Sequence, residues 1–406
     1  MLVFGTRPEA VKFAPVVKRL RDEAGLVPVV TVTAQHRQML DQVLEVFGVV
    51  PDFDLHIMQA GQSLAEVTSR ALLGLDRLLV DTQPDAIVVQ GDTTSTFAGA
   101  LCGFYHNIPV VHLEAGLRTG NKYSPYPEEV NRRLTAQLST MHLAATAGAK
   151  ANLLAEGAPS SAVMVTGNTV VDALLQVLGR ECHLQPALAD LEGERGKARP
   201  VLMATIHRRE SWGAQIRLVG SALRDIARAR PDVTVVVPLH TNPLVRQAIA
   251  PEVSGIANVR LVEPLSYPEF AAMLRRSHLV LTDSGGVQEE APTLGTPVLV
   301  MRDVTERPEA VDAGTAKLVG TNRDRITAEV TRLLGDDAAR KAMVAAGNPF
   351  GDGHASGRVV AALRHMLLGE TRPPEFRPLV SAQPVAGPDQ TTRAPVRRVA
   401  AETMTK

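Results

Sequence analysis

The most constraining feature of this sequence is the alternation of short β-branched runs with longer amphipathic segments along most of the chain. Such alternation is typical of parallel strands joined by crossover helices, because helices cover both faces of a parallel sheet. The pattern comes in two series, and each predicts a doubly wound α/β sheet. The predicted strands of the first series are residues 2–4, 27–33, 86–90, 110–113 and 142–146, and those of the second are 201–204, 233–237, 259–262, 279–282, 298–300 and 317–319.

The 406-residue chain is long enough to form two separately packed cores. We predict an N-terminal Rossmann-like domain at residues 1–166 and a C-terminal Rossmann-like domain at residues 167–352. A final amphipathic helix is predicted within residues 353–369, packing back on the N-terminal domain. Residues 370–406 are interrupted by prolines and poor in apolar side chains, which predicts a disordered tail.

Charge and cysteine content narrow the function classes. The 43 basic and 43 acidic residues cancel, so no broad positive field favours nucleic acid or an anionic membrane surface. Cys102 and Cys182 are the only cysteines, too few for a disulfide framework or a cysteine-based zinc site. No apolar run reaches the length that spans a bilayer. We therefore expect a cytoplasmic protein, and no metal-ligand spacing predicts a metal site.

Polar clusters directly after strands are the candidate binding groups, because ligands of open α/β sheets bind beyond the carboxyl ends of the strands. The first cluster contains Arg7, at the start of the predicted first helix, and Lys12 lies about one turn further along. The two cations would share an anion. A capped helix with solvated charges is an equally good interpretation of this motif alone.

The second cluster spans residues 282–290, where a strand ends in a small-residue turn and a helix begins. Backbone N–H groups at Gly285 and Gly286, with the Ser284 hydroxyl, predict a phosphate site. Glu290 follows one turn later and would accept hydrogen bonds from a ribose. Neither G-x-x-x-x-G-K-[ST] nor G-x-G-x-x-G occurs, so a diphosphate is favoured over the usual ATP and NAD modes.

Three acidic residues follow strand ends in the first half, namely Asp92, Glu114 and Glu128. If they converge, mutual repulsion should raise the pKa of at least one, which would supply a proton donor near neutral pH. Taken singly, each fits a helix N-cap or a surface charge. His207 follows a strand of the second series and would face these acids, although a lone histidine is more often structural.

At this point a family resemblance appears, carried by an ordered series of motifs. The sequence resembles the non-hydrolysing UDP-N-acetylglucosamine 2-epimerases over both predicted domains. The motifs are GTRPEA with Lys12, TAQHRQMLDQVL, QGDTT, HLEAGLRTG, SPYPEE-x-NR, TGNTV-x-DAL, HRRES, TDSGG-x-QEEAP and TERPEA at residues 305–310. The resemblance implies a glycosyltransferase-B-like fold with the active site in the interdomain cleft, a homodimer, and interconversion of UDP-N-acetylglucosamine and UDP-N-acetylmannosamine without any cofactor.

The resemblance also implies a division of roles among the candidate residues. Elimination of UDP to a glycal and its re-addition would need acid/base groups around C2 and cationic groups around the phosphates. The implied catalytic residues are Lys12, Asp92, Glu114, Glu128 and His207, and the implied UDP-binding residues are Arg7, Lys12, His207, Ser284, Gly285, Gly286 and Glu290. A second, activating UDP-sugar site would include Gln35, Gln62, Arg208 and His240.

Two other activities remain open from the sequence. An epimerase of a related UDP-diacetamido sugar acid would share nearly all of these motifs. A retaining glycosyltransferase would share the fold and the diphosphate site but would need an acceptor pocket.

Overall fold

The computed structural model describes residues 1–34, 37–59, 61–192, 199–207 and 214–378, with only the backbone described for residues 37–39 and 214. Within these ranges, no helix combines the length and the apolar character needed to cross a membrane.

Two parallel sheets, each covered by helices, form the framework. The strands are β1 (Leu2–Phe4), β2 (Val30–Val32), β3 (Phe53–Asp54), β4 (Ile87–Gln90), β5 (Val110–Ala115), β6 (Met141–Ala144), β7 (Val163–Val165), β8 (Val201–Thr205), β9 (Thr234–Pro238), β10 (Val259–Val262), β11 (Leu279–Thr282), β12 (Val298–Val300) and β13 (Ala316–Leu318). The helices are α1 (Arg7–Arg21), α2 (Arg37–Phe47), α3 (Leu64–Thr82), α4 (Thr94–Tyr105), α5 (Glu128–Leu138), α6 (Ala147–Ala155), α7 (Thr169–Leu178), α8 (Ala214–Ala229), α9 (Pro243–Val253), α10 (Tyr267–Arg276), α11 (Val287–Thr293), α12 (Pro308–Asp312), α13 (Arg323–Gly335), α14 (Asp337–Ala345) and α15 (Ala355–Leu368).

The strand order of each sheet reverses direction once. The first sheet runs β3-β2-β1-β4-β5-β6-β7 and the second runs β10-β9-β8-β11-β12-β13, with every pairing parallel. The reversals lie between β1 and β4 and between β8 and β11. Such switch points open a crevice at the carboxyl ends of the strands, where ligands of doubly wound sheets bind. The prediction of two doubly wound α/β sheets is confirmed.

Helices α7 and α15 connect the two halves of the chain. Helix α7 follows the predicted boundary at residue 167, yet Val170, Leu174 and Val177 pack into the same apolar core as α1. Helix α7 also contacts α10 and α11 of the second half, and α15 packs on α1 and α7. The core beneath the first sheet is therefore completed by residues that come much later in the sequence.

Strand prediction was accurate where the runs were apolar and incomplete elsewhere. All six strands of the second series are present, whereas the first sheet has seven strands instead of five. Strand β3 has two residues and includes the exposed Phe53, so it lacks a buried run, and β7 is only three residues long. Residues 27–29 were predicted as strand, but β2 begins at Val30.

The prediction of a disordered tail from residue 370 is wrong for its first part. Phe376 is buried, and its N–H donates to the carbonyl of Val165 at 2.8 Å, beside the last strand of the first sheet. The Arg372 guanidinium donates to the Val163 carbonyl at 2.6 Å, and Glu375 pairs with Lys150 at 2.7 Å. One aromatic side chain and two charges thus anchor a segment that lacks regular structure. Residues 379–406 of the predicted tail lie outside the described residues.

We predict that Asp172→Ala lowers the free energy of unfolding by about 2 kcal/mol. The buried Asp172 carboxylate on α7 accepts from the N–H groups of Ala355 at 3.1 Å and Ser356 at 2.8 Å, and from the Ser356 hydroxyl at 2.6 Å. It therefore caps α15 from another helix. Urea denaturation would measure the loss. Asp190→Ala is the matched control, since this side chain is 63% exposed, and an equal loss there would contradict the assigned cap.

Candidate active site

One buried carboxylate, Glu9, links α1 to the start of α4, the helix that follows β4. Glu9 accepts from two N–H groups of the turn that precedes α1, at 2.8 and 3.0 Å. Its other oxygen accepts from the hydroxyls of Thr93 and Thr96, at 2.7 and 3.0 Å. Burial raises the pKa of Glu9, and these hydrogen bonds partly oppose that shift. The switch point between β1 and β4 is thus fixed, and α1 presents Arg7 and Lys12 from it.

Glu114 is the centre of the site. It lies where β5 departs from regular pairing with β6, in a left-handed conformation with φ of 57°. The Lys12 ammonium contacts both carboxylate oxygens at 2.6 Å, and Gln90 donates to one of them. Asn168 and Arg307 donate to the other, each at 3.1 Å. Because Arg307 comes from the second half of the chain, one carboxylate joins the two domains.

The surroundings of Glu114 keep it ionised. Burial alone would raise its pKa, but the charges of Lys12 and Arg307 outweigh burial and lower the pKa to about 2. We expected that crowding would raise the pKa of one of the three acids Asp92, Glu114 and Glu128. At Glu114 the opposite holds, because two cations lie against the carboxylate.

Asp92 is held by a buried arginine from α5. Arg132 donates to Asp92 through two guanidinium nitrogens and also contacts Glu129 at 3.3 Å, while Glu129 is itself fully buried. Burial would lower the pKa of Arg132, but Asp92 and Glu306 more than offset it and the pKa is raised. Glu128 is the first residue of the same helix and is partly buried. Helix α5 therefore brings Glu128 and the partner of Asp92 to one place.

The carboxyl end of β4 also lies beside Glu114. A Cβ on Gly91, the residue before Asp92, would stand 3.3 Å from a Glu114 carboxylate oxygen. Asp92 and Glu114 thus both lie at the carboxyl edge of the first sheet.

His207 is oriented by an acid from the neighbouring strand of the second sheet. The Asp283 carboxylate accepts from the His207 N–H at 2.9 Å and lies 2.9 Å from its ring Nδ1. The Asp283 side chain is 1% exposed and the His207 side chain 41% exposed, so the acid is the buried anchor and the ring faces outward. The ring also stacks on His240, with centroids 6.3 Å apart.

The turn after β11 rests directly on Arg307. A Cβ at Gly285 would stand 2.6 Å from an Arg307 guanidinium nitrogen and 2.9 Å from a Glu306 oxygen, so only glycine fits there without displacing them. Ser284 and Gly286 flank this position, and α11, which begins at Val287, has only seven residues. The turn that the sequence predicts to bind phosphate therefore lies directly against a buried cation.

Arg307 is shared among three carboxylates. Its guanidinium donates to Glu289, to Glu306 at 2.7 Å and to Glu114 at 3.1 Å. Burial would lower the pKa of Arg307, but the three acids raise it. Burial raises the pKa of Glu289 to about 7, because the charge of Arg307 is shared among three acids and does not outweigh the effect of burial. Glu289 is therefore the carboxylate in this cluster that most readily holds a proton.

Glu290, the predicted ribose ligand, is buried against a tyrosine. The Tyr267 hydroxyl donates to it at 2.9 Å. Burial raises the pKa of Glu290, and the Tyr267 hydrogen bond and the charges of Lys12 and Arg7 oppose the shift. Burial lowers the pKa of Arg7, against the opposing charge of Glu290. Arg7 of the first domain thus lies within the field of Glu290 of the second.

Half of the predicted activating site falls outside the described residues, namely Gln35 and Arg208. Of the other two, Gln62 closes its own turn, donating to the Ile57 carbonyl at 2.9 Å and accepting from the Gln59 N–H at 2.6 Å. His240 stacks on His207. The one described contact between this predicted set and the candidate active site is therefore the pair of histidine rings.

Sequence reasoning missed several residues that the fold brings into the site. They are Arg132, Tyr267, Asp283, Glu289, Glu306 and Arg307. Arg132 and Arg307 lie in motifs that were recognised, SPYPEE-x-NR and TERPEA, without a role being assigned to them. The repetition of Arg-Pro-Glu-Ala at residues 7–10 and 307–310 was an available signal for Arg307, because the first copy already supplied a candidate cation.

Among the residues that the structure describes, no group of three or more histidine, cysteine, aspartate or glutamate side chains is placed to hold a metal ion.

Comparison with known proteins matches the chain to the family that its sequence motifs resemble. The family described as UDP-N-acetylglucosamine 2-epimerase matches residues 18–364. A UDP-N-acetylglucosamine 2-epimerase of Yersinia pestis is 50% identical over 368 residues, covering 90% of this chain and 98% of the relative.

Two solved structures are similar over nearly their whole length. The Neisseria meningitidis UDP-GlcNAc 2-epimerase bound to UDP-GlcNAc superimposes with a TM-score of 0.84 at 47% identity, over 89% of this chain and 98% of the other. The Methanocaldococcus jannaschii enzyme, in complex with UDP-GlcNAc and UDP, gives a TM-score of 0.77 at 31% identity, over 90% and 99%. The two doubly wound domains thus form a glycosyltransferase-B-like fold.

We predict that Lys12→Met lowers the free energy of unfolding at pH 7 by about 3 kcal/mol, because it leaves the buried Glu114 without its nearest counter-charge. Stabilisation from an acid whose pKa is lowered from 4.5 to about 2 is complete above pH 4.5 and is lost as the pH falls towards 2. The deficit of the variant should therefore be smaller at pH 4 than at pH 7.

Denaturant unfolding of the single and double variants checks this account. Lys12→Met/Glu114→Gln removes both charges and should regain most of the lost stability. A double variant no more stable than Lys12→Met would contradict the assigned pairing.

Proposed function

The chain belongs to the UDP-N-acetylglucosamine 2-epimerase family, and on that premise we propose that it interconverts UDP-N-acetylglucosamine and UDP-N-acetylmannosamine by reversible inversion at C2. The observation that carries the proposal is the Glu114–Arg307 contact. It joins the acidic edge of the first sheet to the phosphate turn of the second. Acid/base groups and a diphosphate site then face each other across an interdomain cleft.

The chemistry follows from what C2 requires. Its proton is not adjacent to a carbonyl, so simple deprotonation would leave an unstabilised carbanion. Removal of the C2 proton while the C1–O bond breaks gives a glycal and UDP. Protonation of C2 on the opposite face and return of the UDP oxygen to C1 then yields the epimer. The protein must supply proton donors and acceptors around C2 and must stabilise the departing diphosphate.

The site residues divide between these two tasks in the proposed complex. Asp92, Glu114 and Glu128 surround C2, with Lys12 holding Glu114 in place. Arg7, His207 and the turn formed by Ser284, Gly285 and Gly286 contact the phosphates, and Glu290 contacts the ribose. The charges of Lys12 and Arg307, which lower the pKa of Glu114 to about 2, keep this carboxylate ionised at neutral pH. Closure of the cleft would keep water from the glycal.

The resemblance also supports regulation and a cellular location. A second UDP-sugar is proposed to activate the enzyme through Gln35, Gln62, Arg208 and His240, and the stacking of His240 on His207 supports communication with the phosphates. A cytoplasmic location is proposed because both cysteines, Cys102 and Cys182, are free thiols, as is typical of a reducing compartment.

The reaction is tested by incubating the purified protein with UDP-N-acetylglucosamine, and separately with UDP-N-acetylmannosamine, without metal, nicotinamide cofactor or acceptor. We expect both mixtures to reach the same ratio of the two nucleotide sugars, as followed by NMR. Steady accumulation of free UDP would instead indicate a hydrolase or transferase. An unchanged substrate would direct attention to diacetamido sugar acids.

We predict that Asp92→Asn lowers kcat by roughly 100-fold or more, because acid/base groups typically contribute factors of this size. The UDP dissociation constant, measured by calorimetry, should change little, since Asp92 lies on the sheet opposite the phosphate turn. Asp232→Asn is the control, as its 57% exposed side chain pairs with Arg230 on the surface. Loss of UDP binding together with turnover would contradict the division of roles.

We further propose that the chain is a homodimer, as the resemblance implies. Leu73 and Val80 of α3 and Phe104 and Tyr105 of α4 are 56–66% exposed, and the hydrogen bond between Asp76 and His106 holds the two helices side by side. Large apolar side chains exposed together are typical of an interface.

We predict that Phe104→Asp shifts the protein from dimer to monomer in analytical ultracentrifugation, because a charge would be buried in the apolar interface. Leu244→Asp is the matched control, at a 55% exposed leucine on α9. A sedimentation coefficient that is the same for Phe104→Asp and wild type would contradict a dimer through this face.

A further inference from the structure

Arg307 is held more firmly than a cation that only balances charge. Its three donor directions end on three different carboxylates, and it is 5% exposed. Glu289 and Glu306 belong to its own domain, and Glu306 is in turn fixed by Arg302 at 2.7 Å. Two anchors from one side leave the third guanidinium nitrogen directed at Glu114 in the opposite domain. A planar fork with fixed donors transmits orientation in a way that a flexible ammonium does not.

The same guanidinium lies against the phosphate turn. Gly285 has no side chain, and a Cβ there would overlap an Arg307 nitrogen at 2.6 Å. The turn proposed to bind the diphosphate and the carboxylate proposed to act at C2 are therefore separated by one side chain. A shift of the turn towards Arg307 would be resisted by the guanidinium.

The arrangement is reciprocal between the domains. In the first Arg-Pro-Glu-Ala copy, Arg7 lies in the field of Glu290 of the second domain. In the second copy, Arg307 contacts Glu114 of the first domain. Each domain thus contributes one arginine, placed just before or at the start of a helix, whose charge acts on a site carboxylate of the other, and Arg307 also contacts its carboxylate directly.

We propose that Arg307 is a positioning residue that fixes the orientation of the Glu114 carboxylate from the opposite domain, so that this acid/base group is correctly placed only when the two domains are in contact. The proposal rests on the proposed epimerase function. It assigns to TERPEA the task of linking the phosphate turn to the carboxylate at C2. Arg307 need not touch the substrate to do this.

The test uses Arg307→Lys, which keeps a positive charge among the three carboxylates but loses the fork. We measure kcat and KM for epimerisation, and we measure UDP binding by calorimetry. The binding stoichiometry counts the correctly folded sites, so kcat is expressed per UDP-binding site. We expect kcat per site to fall roughly 100-fold, because small misplacements of a catalytic group cost this much. The UDP dissociation constant should stay within about threefold of wild type.

The matched control is Arg302→Lys. Arg302 also pairs with Glu306, and it lies in the same segment four residues earlier. Its kcat per site should match wild type. If Arg307→Lys fails to fold, Glu289→Gln provides a second variant, since it is isosteric and weakens the Nε anchor of Arg307 by replacing a carboxylate oxygen with a neutral amide oxygen. We expect it to lower kcat per site about 10-fold.

The outcomes separate this proposal from the function on which it rests. Absence of epimerisation by the wild-type protein would overturn the function and the role of Arg307 together. Epimerisation by wild type with kcat per site unchanged in Arg307→Lys, or in Glu289→Gln if the lysine variant does not fold, would overturn the positioning role alone. A merely structural role would reduce the number of UDP-binding sites and leave kcat per site at the wild-type value.

Discussion

The contact of one buried carboxylate with two cations is the interaction on which this structure depends most. Glu114 is ionised within a buried site, and such a charge is tolerated only when it is paired and hydrogen-bonded. Lys12 supplies the pairing from its own domain and Arg307 from the other, while Gln90 and Asn168 complete its hydrogen bonds. Glu114 lies at the irregularity of β5, and its contact with Arg307 joins the two domains.

Each sheet supplies half of a site, and neither half is sufficient alone. The switch point of the first sheet gathers Asp92 and Glu114, whereas that of the second gathers His207, Asp283 and the glycine turn after β11. In the proposed complex the acids would face the sugar, and the cations and N–H groups would face the diphosphate, which is the separation that an elimination requires. The reaction is proposed from membership of the family, and the geometry of the site accounts for how this chain would perform it.

The sequence predicted those parts of the site that follow directly from strand ends. A polar residue that directly follows a buried strand lies at the carboxyl edge of a doubly wound sheet. Local pattern was therefore enough to nominate Arg7, Glu114, His207 and Gly285. Arg307 could not be found in that way, because its importance arises from a contact with Glu114, 193 positions away. The role of Glu289 depends in turn on its hydrogen bond with Arg307. The lowered pKa of Glu114 was missed because it depends on the charges of Lys12 and Arg307, whose contacts with Glu114 span 102 and 193 positions. The ordered segment around Phe376 was missed because a single buried aromatic leaves no periodic signal.

Deuterium incorporation at C2 of the product tests the central claim most directly. In D₂O, wild-type protein acting on UDP-N-acetylglucosamine should give UDP-N-acetylmannosamine that carries deuterium at C2, and Glu114→Gln should bind UDP yet incorporate almost none. Epimer that retains the original C2 hydrogen, or a Glu114→Gln variant that exchanges as fast as wild type, would contradict an acid/base site centred on this carboxylate.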